Sequence, residues 1–370
     1  MRYTVTCLTP TLVGDGQKLS PIDYMVWKDH VNVLDQRRIF RLLAKGPRLD
    51  GYLAQLKKAE KLDFSSWGGF AQNFAGRRLP FEHASSVPVF ERASAADLFI
   101  PTFATGAAGP YLPASAIKGA LRTGAVFDRW SESTMQRMAE RLEEERIPRG
   151  FTAKVEESVL GGAGVSRLRR VAPADSNVVT YSGMKIFLLR VATLAVRGPG
   201  ADRPLELAWK SQRGSVEPRR VEESLPAFAE MAAPGFTFDG AWREKSEGDR
   251  MKLFQSANRY AEAQLARHKD YATRAGLERL TATINSLESR LTGIGQKGNA
   301  CLLSIGWGGG LVGKSAYLNT DDESYRKILR HMPLYQRAIQ TGLPFPKTRR
   351  VIFEGNQPSS LPGWVLLEIA

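Results

Sequence analysis

The sequence contains few of the residues that build disulfide frameworks and metal sites. Its 370 residues include two cysteines, Cys7 and Cys301, which cannot form a disulfide framework or a cysteine-rich zinc site. The four histidines are far apart, at His30, His83, His268 and His331. None has a metal-binding spacing such as HxxxH, so we expect no metal and no cofactor.

Long apolar runs are also lacking. The most apolar stretch, residues 187–196, is interrupted by Arg190 and is far shorter than the ~20 residues of a membrane-spanning helix. The first residues carry one positive charge but no continuous apolar segment of the kind found in signal peptides. We therefore expect a cytoplasmic protein that does not insert into a membrane.

Acidic residues are outnumbered by basic ones, 38 against 52, which gives a net charge of +14. Such an excess favours a polyanionic partner, nucleic acid first, ahead of a membrane surface or an acidic substrate. The hydrophobic fraction of 43% and the charged fraction of 24% are ordinary for a globular chain and exclude wholesale disorder. The length favours two domains, or one core with large insertions.

Hydrophobic periodicity predicts strands and helices without strict alternation, which is typical of an α+β fold. Strands are predicted at residues 3–13, 23–27, 30–34, 86–91, 185–196, 205–210, 236–243, 300–306 and 363–369. Helices are predicted at residues 35–44, 50–62, 115–128, 132–146, 249–268, 277–291 and 324–331. Residues 158–177 are glycine-rich and then basic, which indicates a loop or flap.

One segment, GGGLVGKS at residues 308–315, matches the phosphate-loop pattern G-x-x-x-x-G-K-[ST] letter for letter. In such a loop a helix begins at the lysine, here Lys314, whereas the next predicted helix begins only near residue 321. Only 55 residues, 316–370, follow, too few for the parallel sheet of a nucleotide hydrolase. A P-loop NTPase is therefore the weaker alternative. Loop amides with Lys297 and Lys314 could equally hold RNA phosphates, or the segment could be a plain tight turn.

A second signal is YLPASAIKGALRT at residues 111–123. Ser115 is well placed to cap a helix that runs to about residue 128. Lys118 and Arg122, at i and i+4, would then lie on one face near free amides at the positive end of the helix. The alternative is an amphipathic core helix with two solvated cations.

A third signal is the basic cluster Arg167, Arg169 and Arg170 behind the glycines at residues 161–162. It suits a clamp on an RNA strand, and its alternative is a solvated flap. No nucleophile motif or carboxylate pair indicates acid–base chemistry, because Asp321 and Asp322 read as turn residues. We expect His268 to be a charge at the C-terminal end of a helix.

These segments, in this order, resemble the RAMP superfamily of CRISPR-associated RNA-binding proteins. The opening LTPTLVGDG at residues 8–16 is similar to the family's glycine-bearing start. Residues 111–123 are similar to its "hPG-SSLKGALR" segment, with Ala114 where the family usually has glycine. IGWGGG at residues 305–310 resembles its late glycine-rich loop.

Within the superfamily, LSPIDY at residues 19–24 and PGFTF at residues 234–238 are similar to the subunits that cap type III-A effector complexes at the 3′ end of the guide RNA. The resemblance implies an RRM-like, ferredoxin-like core with a helical insertion and a thumb-like flap. We expect residues 1–245 to form this core with its flap at about 155–180. Residues 246–296 would be the helical insertion, and residues 297–370 would complete the core with the glycine-rich loop.

The implied function is non-catalytic binding of guide RNA (crRNA) at the 3′ end of a type III-A complex, in support of crRNA maturation and antiviral defence. The implied partners are crRNA, neighbouring backbone RAMP subunits and a host trimming nuclease. The motifs and the resemblance together select these RNA contacts: Ser115, Lys118, Arg122, Arg167, Arg169, Arg170, Lys297, Gly306, Trp307, Gly308, Gly309, Gly310 and Lys314.

The main alternative is a guide-processing endoribonuclease of the same superfamily. Such enzymes usually rely on a histidine in the early helix, and residues 35–44 contain none. Backbone subunits of the family cleave target RNA through an aspartate in the corresponding loop, and we identify no such aspartate here. Both observations favour a subunit that does not cut.

Binding of single-stranded RNA is expected to be steeply salt-dependent. Guides vary in sequence, so contacts should go mainly to phosphate and ribose, with flat side chains such as Trp307, Tyr111 and Phe103 available for stacking. Each neutralised phosphate adds about 0.7 to the slope of log K against log salt concentration. Affinity measured across a salt series checks this, and a flat response contradicts it.

Overall fold

In the computed structural model, the described residues are 1–44, 46, 49–58, 73–142, 150–162, 165–196, 205–211, 217–295, 298–336, 339 and 344–370. The strands, in chain order, are β1 (Arg2–Cys7), β2 (Lys18–Leu19), β3 (Tyr24–Trp27), β4 (His30–Leu34), β5 (Ala75–Pro80), β6 (Ile100–Pro101), β7 (Thr105–Gly106), β8 (Gly109–Pro110), β9 (Val171–Ser176), β10 (Met184–Val196), β11 (Leu205–Trp209), β12 (Ala227–Ala232), β13 (Thr237–Glu244), β14 (Ala300–Ser304), β15 (Thr348–Glu354), β16 (Gln357–Ser360) and β17 (Trp364–Ile369).

The helices alternate irregularly with these strands. In chain order they are α1 (Gln36–Leu43), α2 (Leu49–Lys58), α3 (Ser86–Arg92), α4 (Ala114–Asp128), α5 (Glu132–Leu142), α6 (Phe151–Leu160), α7 (Glu247–Arg274), α8 (Glu278–Ile294), α9 (Glu323–Arg330) and α10 (Pro333–Gln336). Asp35 and Asp322 cap α1 and α9, because their side chains accept from backbone amides in the first turn of each helix.

The first sheet has the strand order β14-β17-β1-β13-β9, and every neighbouring pair is antiparallel. In chain order, β1, α4 and β9 form one split βαβ unit around β13. β13, α7 and β17 form a second around β1. This is the ferredoxin-like arrangement, with β14 added at the edge, and it confirms the predicted α+β, RRM-like fold.

Helices α4 and α7 cross at a point where α4 has no side chain. A Cβ atom added to Gly124 would lie 2.9 Å from the Cα atom of Ala257 on α7, so the two backbones meet there. The ion pair of Asp128 with Arg259 and the hydrogen bond from Ser256 to Asp128 join the same helices nearby. The buried face of α7 belongs to the main hydrophobic core, together with β1, β13 and β17.

The second sheet is built on the 13-residue strand β10. Its first half pairs with β12 and its second half with β11, both antiparallel, while β15 pairs along its other edge and is followed by β16. The predicted pair at residues 185–196 and 205–210 is therefore confirmed. β10 reads as a nearly continuous apolar run because it is covered on both faces.

The third sheet, β3-β4-β5, contains the predicted hairpin at residues 23–34. It is joined to the second sheet by the ion pair of Arg77 on β5 with the fully buried carboxylate of Glu230 on β12. Burial raises the pKa of Glu230 to about 7, against the opposing effect of Arg77. The guanidinium of Arg77 also lies over the ring of Tyr181, at 4.8 Å.

Two predicted elements are wrong. Residues 86–91 form α3 instead of a strand, because Phe90 and Ser86 are buried at helical spacing and Pro88 falls in the first turn, where proline is tolerated. Residues Val171–Ser176 form an edge strand instead of continuing the loop. The strand was not predicted because Pro173 and the polar side chains give it no alternating apolar pattern, and such residues are tolerated in a strand at a sheet edge. The predicted helix ends at residues 59–62 and 143–146 lie outside the described residues.

Two glycines of α4 provide a matched pair of substitutions. Gly119→Ala should stabilise the protein by about 0.5–1 kcal/mol, because nothing lies within 4 Å of the added Cβ atom and alanine favours a helix. Gly124→Ala should destabilise it by about 1–3 kcal/mol despite the same propensity gain, because the methyl group overlaps the backbone of α7. Urea unfolding measures both values. Equal effects at the two positions would contradict the close crossing.

Candidate nucleic-acid interface

The segment from residue 8 to residue 13 joins the two large sheets. The amides of Leu8 and Thr9 donate to the carbonyl of Trp364 on β17. Two residues later, Thr11 exchanges backbone hydrogen bonds of 3.0 and 2.8 Å with Ala232, the last residue of β12. We call residues 8–13 the junction segment. It is buried along most of its length, which explains why it reads as a continuation of β1 in the sequence.

The glycine-rich loop packs directly on the junction segment. The amide of Trp307 donates to the carbonyl of Leu12 over 2.7 Å. Gly306 has a φ of +73°, and a Cβ atom there would lie 2.1 Å from the same carbonyl oxygen. Only glycine fits both the space and the left-handed backbone. The start of the chain and its last hundred residues therefore share one surface.

This contact forms one wall of a groove of about 890 Å³. Its opposite wall is α4 and its end is closed by α5 and α6. Of the predicted RNA contacts, the groove brings together Ser115, Arg122, Gly306, Trp307, Gly309 and Lys314. The two segments that were selected from distant parts of the sequence thus face one another.

The floor of the groove is apolar and its rim is charged. Leu12, Ile305 and Val126 are buried beneath it, and Trp130 lines it at half exposure. Such a surface can contact base or ribose faces while the rim contacts phosphates.

Three lysines give the groove and its extension a positive rim. Lys18 and Lys314 are exposed at the groove itself, and Lys118 is exposed in a smaller adjoining cavity that shares Ser115 and Arg122 with the groove. None of the three has a carboxylate partner among the residues that the structure describes. They are the cations most available to an anionic ligand.

Arg122 is placed in the groove but is not free. Glu156 on α6 lies against it in a two-point ion pair, and this hydrogen bond raises the pKa of Arg122. Glu156 lines the groove as well. The charge of Arg122 is therefore balanced within the protein.

The N-terminus of α4 differs from its prediction. The helix begins at Ala114 with Pro113 as its N-cap residue, and Ser115 makes no capping hydrogen bond. The carboxylate of Asp175, next to the end of β9, instead accepts from the amide of Ala114 over 2.8 Å. A carboxylate of the protein thus occupies a place where a phosphate was expected, and no signal in the local sequence reveals it.

An arginine side chain stacks on the ring of Trp307. The guanidinium of Arg350 on β15 lies 4.0 Å from the centre of its ring, within cation–π distance. This face of the indole is therefore occupied by a side chain of the protein. Gly308 lies beside Arg350: a Cβ atom there would lie 3.7 Å from Cδ of Arg350 and 2.5 Å from Cγ of Pro362.

The phosphate-loop match does not have the geometry of a nucleotide site. Turns, and no helix, follow Lys314, and the next helix is α9, which begins at Glu323. Gly309 lines the groove, whereas Gly308 and Gly310 line a separate cavity behind the loop. The expectation that no helix begins at the lysine is confirmed.

The basic cluster after α6 is divided. Residues Arg167–Arg170 form a 3₁₀ turn that leads into β9. Arg169 is exposed and lines the same small cavity as Lys118, while Arg170 lies 3.7 Å from Asp249 on α7. Lys297 lies outside the described residues.

Three groups at this site were missed in the sequence: Lys18, Glu156 and Arg350. Lys18 follows directly on the Gly14–Gly16 turn, so its position next to a recognised motif was an available signal. Glu156 and Arg350 belong to segments that approach the groove only through tertiary packing, and nothing in their local sequence distinguishes them.

Neither a metal-binding cluster nor a membrane-spanning helix is found among the described residues. They contain no group of three or more His, Cys, Asp or Glu side chains arranged to hold a metal ion. None of their helices has the length and apolar character to span a bilayer. Asp322 caps α9 and Asp15 accepts from the amide of Gln17, so both carboxylates bind local backbone amides.

His268 does not have the predicted charge at a helix end. α7 continues six residues beyond it, and its ring is fully buried, with Nδ1 accepting from Nε of Arg349 over 3.1 Å. Burial and the neighbouring guanidinium hold the pKa of His268 well below its usual value. It is a neutral core histidine.

A family model described as the RAMP superfamily matches residues 4–312. The chain belongs to the RAMP superfamily. The match includes residues 111–123 and 305–310, the two motif segments that line the groove. No curated protein sequence matches the chain.

Solved structures share the fold over the whole chain. A chain in the cryo-EM structure of a Csm–crRNA–target RNA ternary complex of a type III-A CRISPR-Cas system aligns with a TM-score of 0.64, 17% identity and full coverage of both chains. The crystal structure of Csm5 from T. onnurineus aligns with a TM-score of 0.60 and 15% identity, over 98% of this chain and 99% of that one. At these identities the likeness concerns the fold.

Substitution of two loop glycines tests the contact between the loop and the junction segment. Gly310→Ala should cost about 1–2 kcal/mol, because its φ is +62° but the space around it is open. Gly306→Ala should cost about 3 kcal/mol or more, because overlap with the Leu12 carbonyl adds to the same left-handed strain. The difference between the two unfolding free energies is the measurement. If Gly306→Ala is no worse than Gly310→Ala, the contact is not as described.

Proposed function

We propose that this RAMP protein is a non-catalytic crRNA-binding subunit that caps the 3′ end of the guide in a type III-A CRISPR effector complex. It would support crRNA maturation and antiviral defence in the cytoplasm. The observation that carries the proposal is the groove between α4 and the glycine-rich loop. Family membership and a fold shared end to end with Csm5 support it.

The groove suits single-stranded RNA better than a small metabolite. Its volume of about 890 Å³ lies within the usual ligand-pocket range of roughly 300–1,000 Å³, so the distinction comes from the placement of charge and not from size. Its cations are dispersed along the rim and not gathered at one point, as expected for contacts to successive phosphates. Lys18, Lys118 and Lys314 would neutralise phosphates, and Trp307, which lines the groove, would contact a base.

The negative charge of Glu156 weakens the binding of RNA in the groove. Bound RNA brings negative charge next to its carboxylate, which repels phosphate while holding Arg122. RNA would therefore gain from any change that removes the charge of Glu156. This gives the proposal a variant whose effect has the opposite sign to that of lysine removal.

The absence of catalysis is part of the proposal. α1 carries no histidine, which argues against the guide-processing endoribonuclease. The chain after Lys314 lacks the helix of a nucleotide-binding loop, which argues against the NTPase. Neighbouring backbone RAMP subunits and a host trimming nuclease are proposed as partners on the strength of the family likeness.

The experiment is fluorescence anisotropy of the full-length protein with a labelled single-stranded RNA. Lys314→Ala and Lys118→Ala should each weaken binding about three- to tenfold, the usual net value of one hydrogen-bonded contact. Glu156→Gln should strengthen binding about two- to fivefold, because it removes repulsion and frees Arg122. The double variant Lys314→Ala/Glu156→Gln should fall between the two.

Arg243→Ala is the matched control, because Arg243 is exposed on β13 and lines neither the groove nor its extension. It removes one positive charge and should change affinity little. If Arg243→Ala weakens binding as much as Lys314→Ala, the electrostatic attraction is diffuse and the groove is not the site.

A second experiment tests where this subunit lies on the guide. In a reconstituted complex, photo-crosslinks to this chain should form from the 3′ end of the guide and not from its 5′ end.

A further inference from the structure

A second cavity lies behind the glycine-rich loop, with a volume of about 210 Å³. It is enclosed by the loop, by β15 and by the turn before β17. Its size is below the roughly 300–1,000 Å³ of pockets for organic ligands, so it suits a small ion. Ser304 and Gly309 line both this cavity and the groove, which makes the loop the partition between them.

Arg349 supplies one buried cation. Its side chain is 9% exposed, its Nη1 donates to the carbonyls of Pro346 and Thr348, and its Nε donates to His268. All of these acceptors are uncharged. Its guanidinium lies 4.5 Å from the centre of the Tyr271 ring, and the charge of Asp270 favours it at longer range, but no carboxylate in the described chain lies within 4.0 Å of it.

Arg350 supplies a second cation next to the first. Its guanidinium stacks on Trp307, and its Nε is buried without a hydrogen-bond acceptor in the described structure. Burial lowers the pKa of Arg350, and that of Arg349 to about 10. A buried donor on a charged group is costly when it remains unpaired. No acidic residue is among those that line the cavity.

The loop adds backbone donors. Gly308 and Gly310 have φ angles of +101° and +62°, on either side of Gly309, which has an ordinary φ. Alternation of this kind is typical of nests, in which successive amides converge on an anion. The amides of these three glycines donate to no acceptor within the described residues, whereas the amide of Trp307 is already bonded to Leu12.

We propose that the cavity formed by Arg349, Arg350 and the amides of residues 308–310 is a binding site for one phosphate-type oxyanion. A tetrahedral anion there would pair two guanidiniums and accept from the glycine amides at the same time. It would also hold Arg350 in its stack on Trp307 and so brace the wall of the groove. The phosphate could come from RNA that enters across Gly309, which rests on the proposed function, or from free inorganic phosphate.

The first test uses inorganic phosphate and the full-length protein without RNA, so it does not depend on the proposed function. Isothermal titration at constant ionic strength, in a buffer free of other oxyanions, should show saturable binding of one phosphate per chain. Sulfate should compete and chloride should not. Absence of saturable binding, or displacement of phosphate by chloride as readily as by sulfate, would overturn the proposal.

Variants then assign the site. Arg350→Gln should weaken phosphate binding roughly tenfold or more, as expected for loss of a charge-assisted hydrogen bond. Arg243→Gln, an exposed charge outside the cavity, should leave binding unchanged. Equal losses in the two variants would overturn the assignment. If Arg350→Gln does not fold, as judged by circular dichroism, the competition between sulfate and chloride in the unmodified protein decides.

Competition between inorganic phosphate and RNA distinguishes the two sources of the anion, an RNA phosphate and free phosphate. If inorganic phosphate displaces labelled RNA from the unmodified protein but not from Arg350→Gln, an RNA phosphate occupies the cavity. If phosphate binds and RNA affinity is unaffected, the occupant is free phosphate that braces the loop. RNA binding without any phosphate site would leave the proposed function intact and remove this inference alone.

Discussion

The carbonyl of Leu12 accepts a hydrogen bond from the amide of Trp307, and the groove exists because of this contact. It holds the glycine-rich loop against the junction segment, which itself pairs with both large sheets. Because Gly306 lies against the same carbonyl with no room for a side chain, the loop cannot shift without losing the hydrogen bond. The wall opposite α4 is therefore determined by backbone geometry.

The positive potential of this protein depends more on which cations lack a carboxylate partner than on how many cations there are. Several arginines are committed to carboxylates of the fold, among them Arg77, Arg250 and Arg259. The lysines at the groove have no such partner in the described chain. The net charge of +14 thus becomes local positive potential only where tertiary structure leaves cations unpaired. Arg122 shows the reverse, since Glu156 balances it inside the groove itself.

Much of the architecture could be predicted because its signals are local. The hairpin at residues 23–34, the long strand β10 and the helix α7 follow from periodicity and turn residues alone. The edge strand β9 could not be predicted, because a short strand with proline at a sheet edge carries no alternating pattern. Part of the site could also be predicted: the two motif segments do face one another across the groove. The partners Glu156, Asp175 and Arg350 could not, because each reaches the site from a different element.

The sequence alone determined the class of fold, the family likeness and the excess of positive charge, because these depend on composition and on patterns along the chain. Tertiary structure alone decided which cations remain available. His268 was predicted to be a charge at a helix end and Lys314 a phosphate contact, yet His268 is buried and neutral while Lys314 is exposed at the groove. The reason is physical: the state of an ionisable group depends on burial and on charges within a few ångströms, and most of those neighbours are distant in sequence.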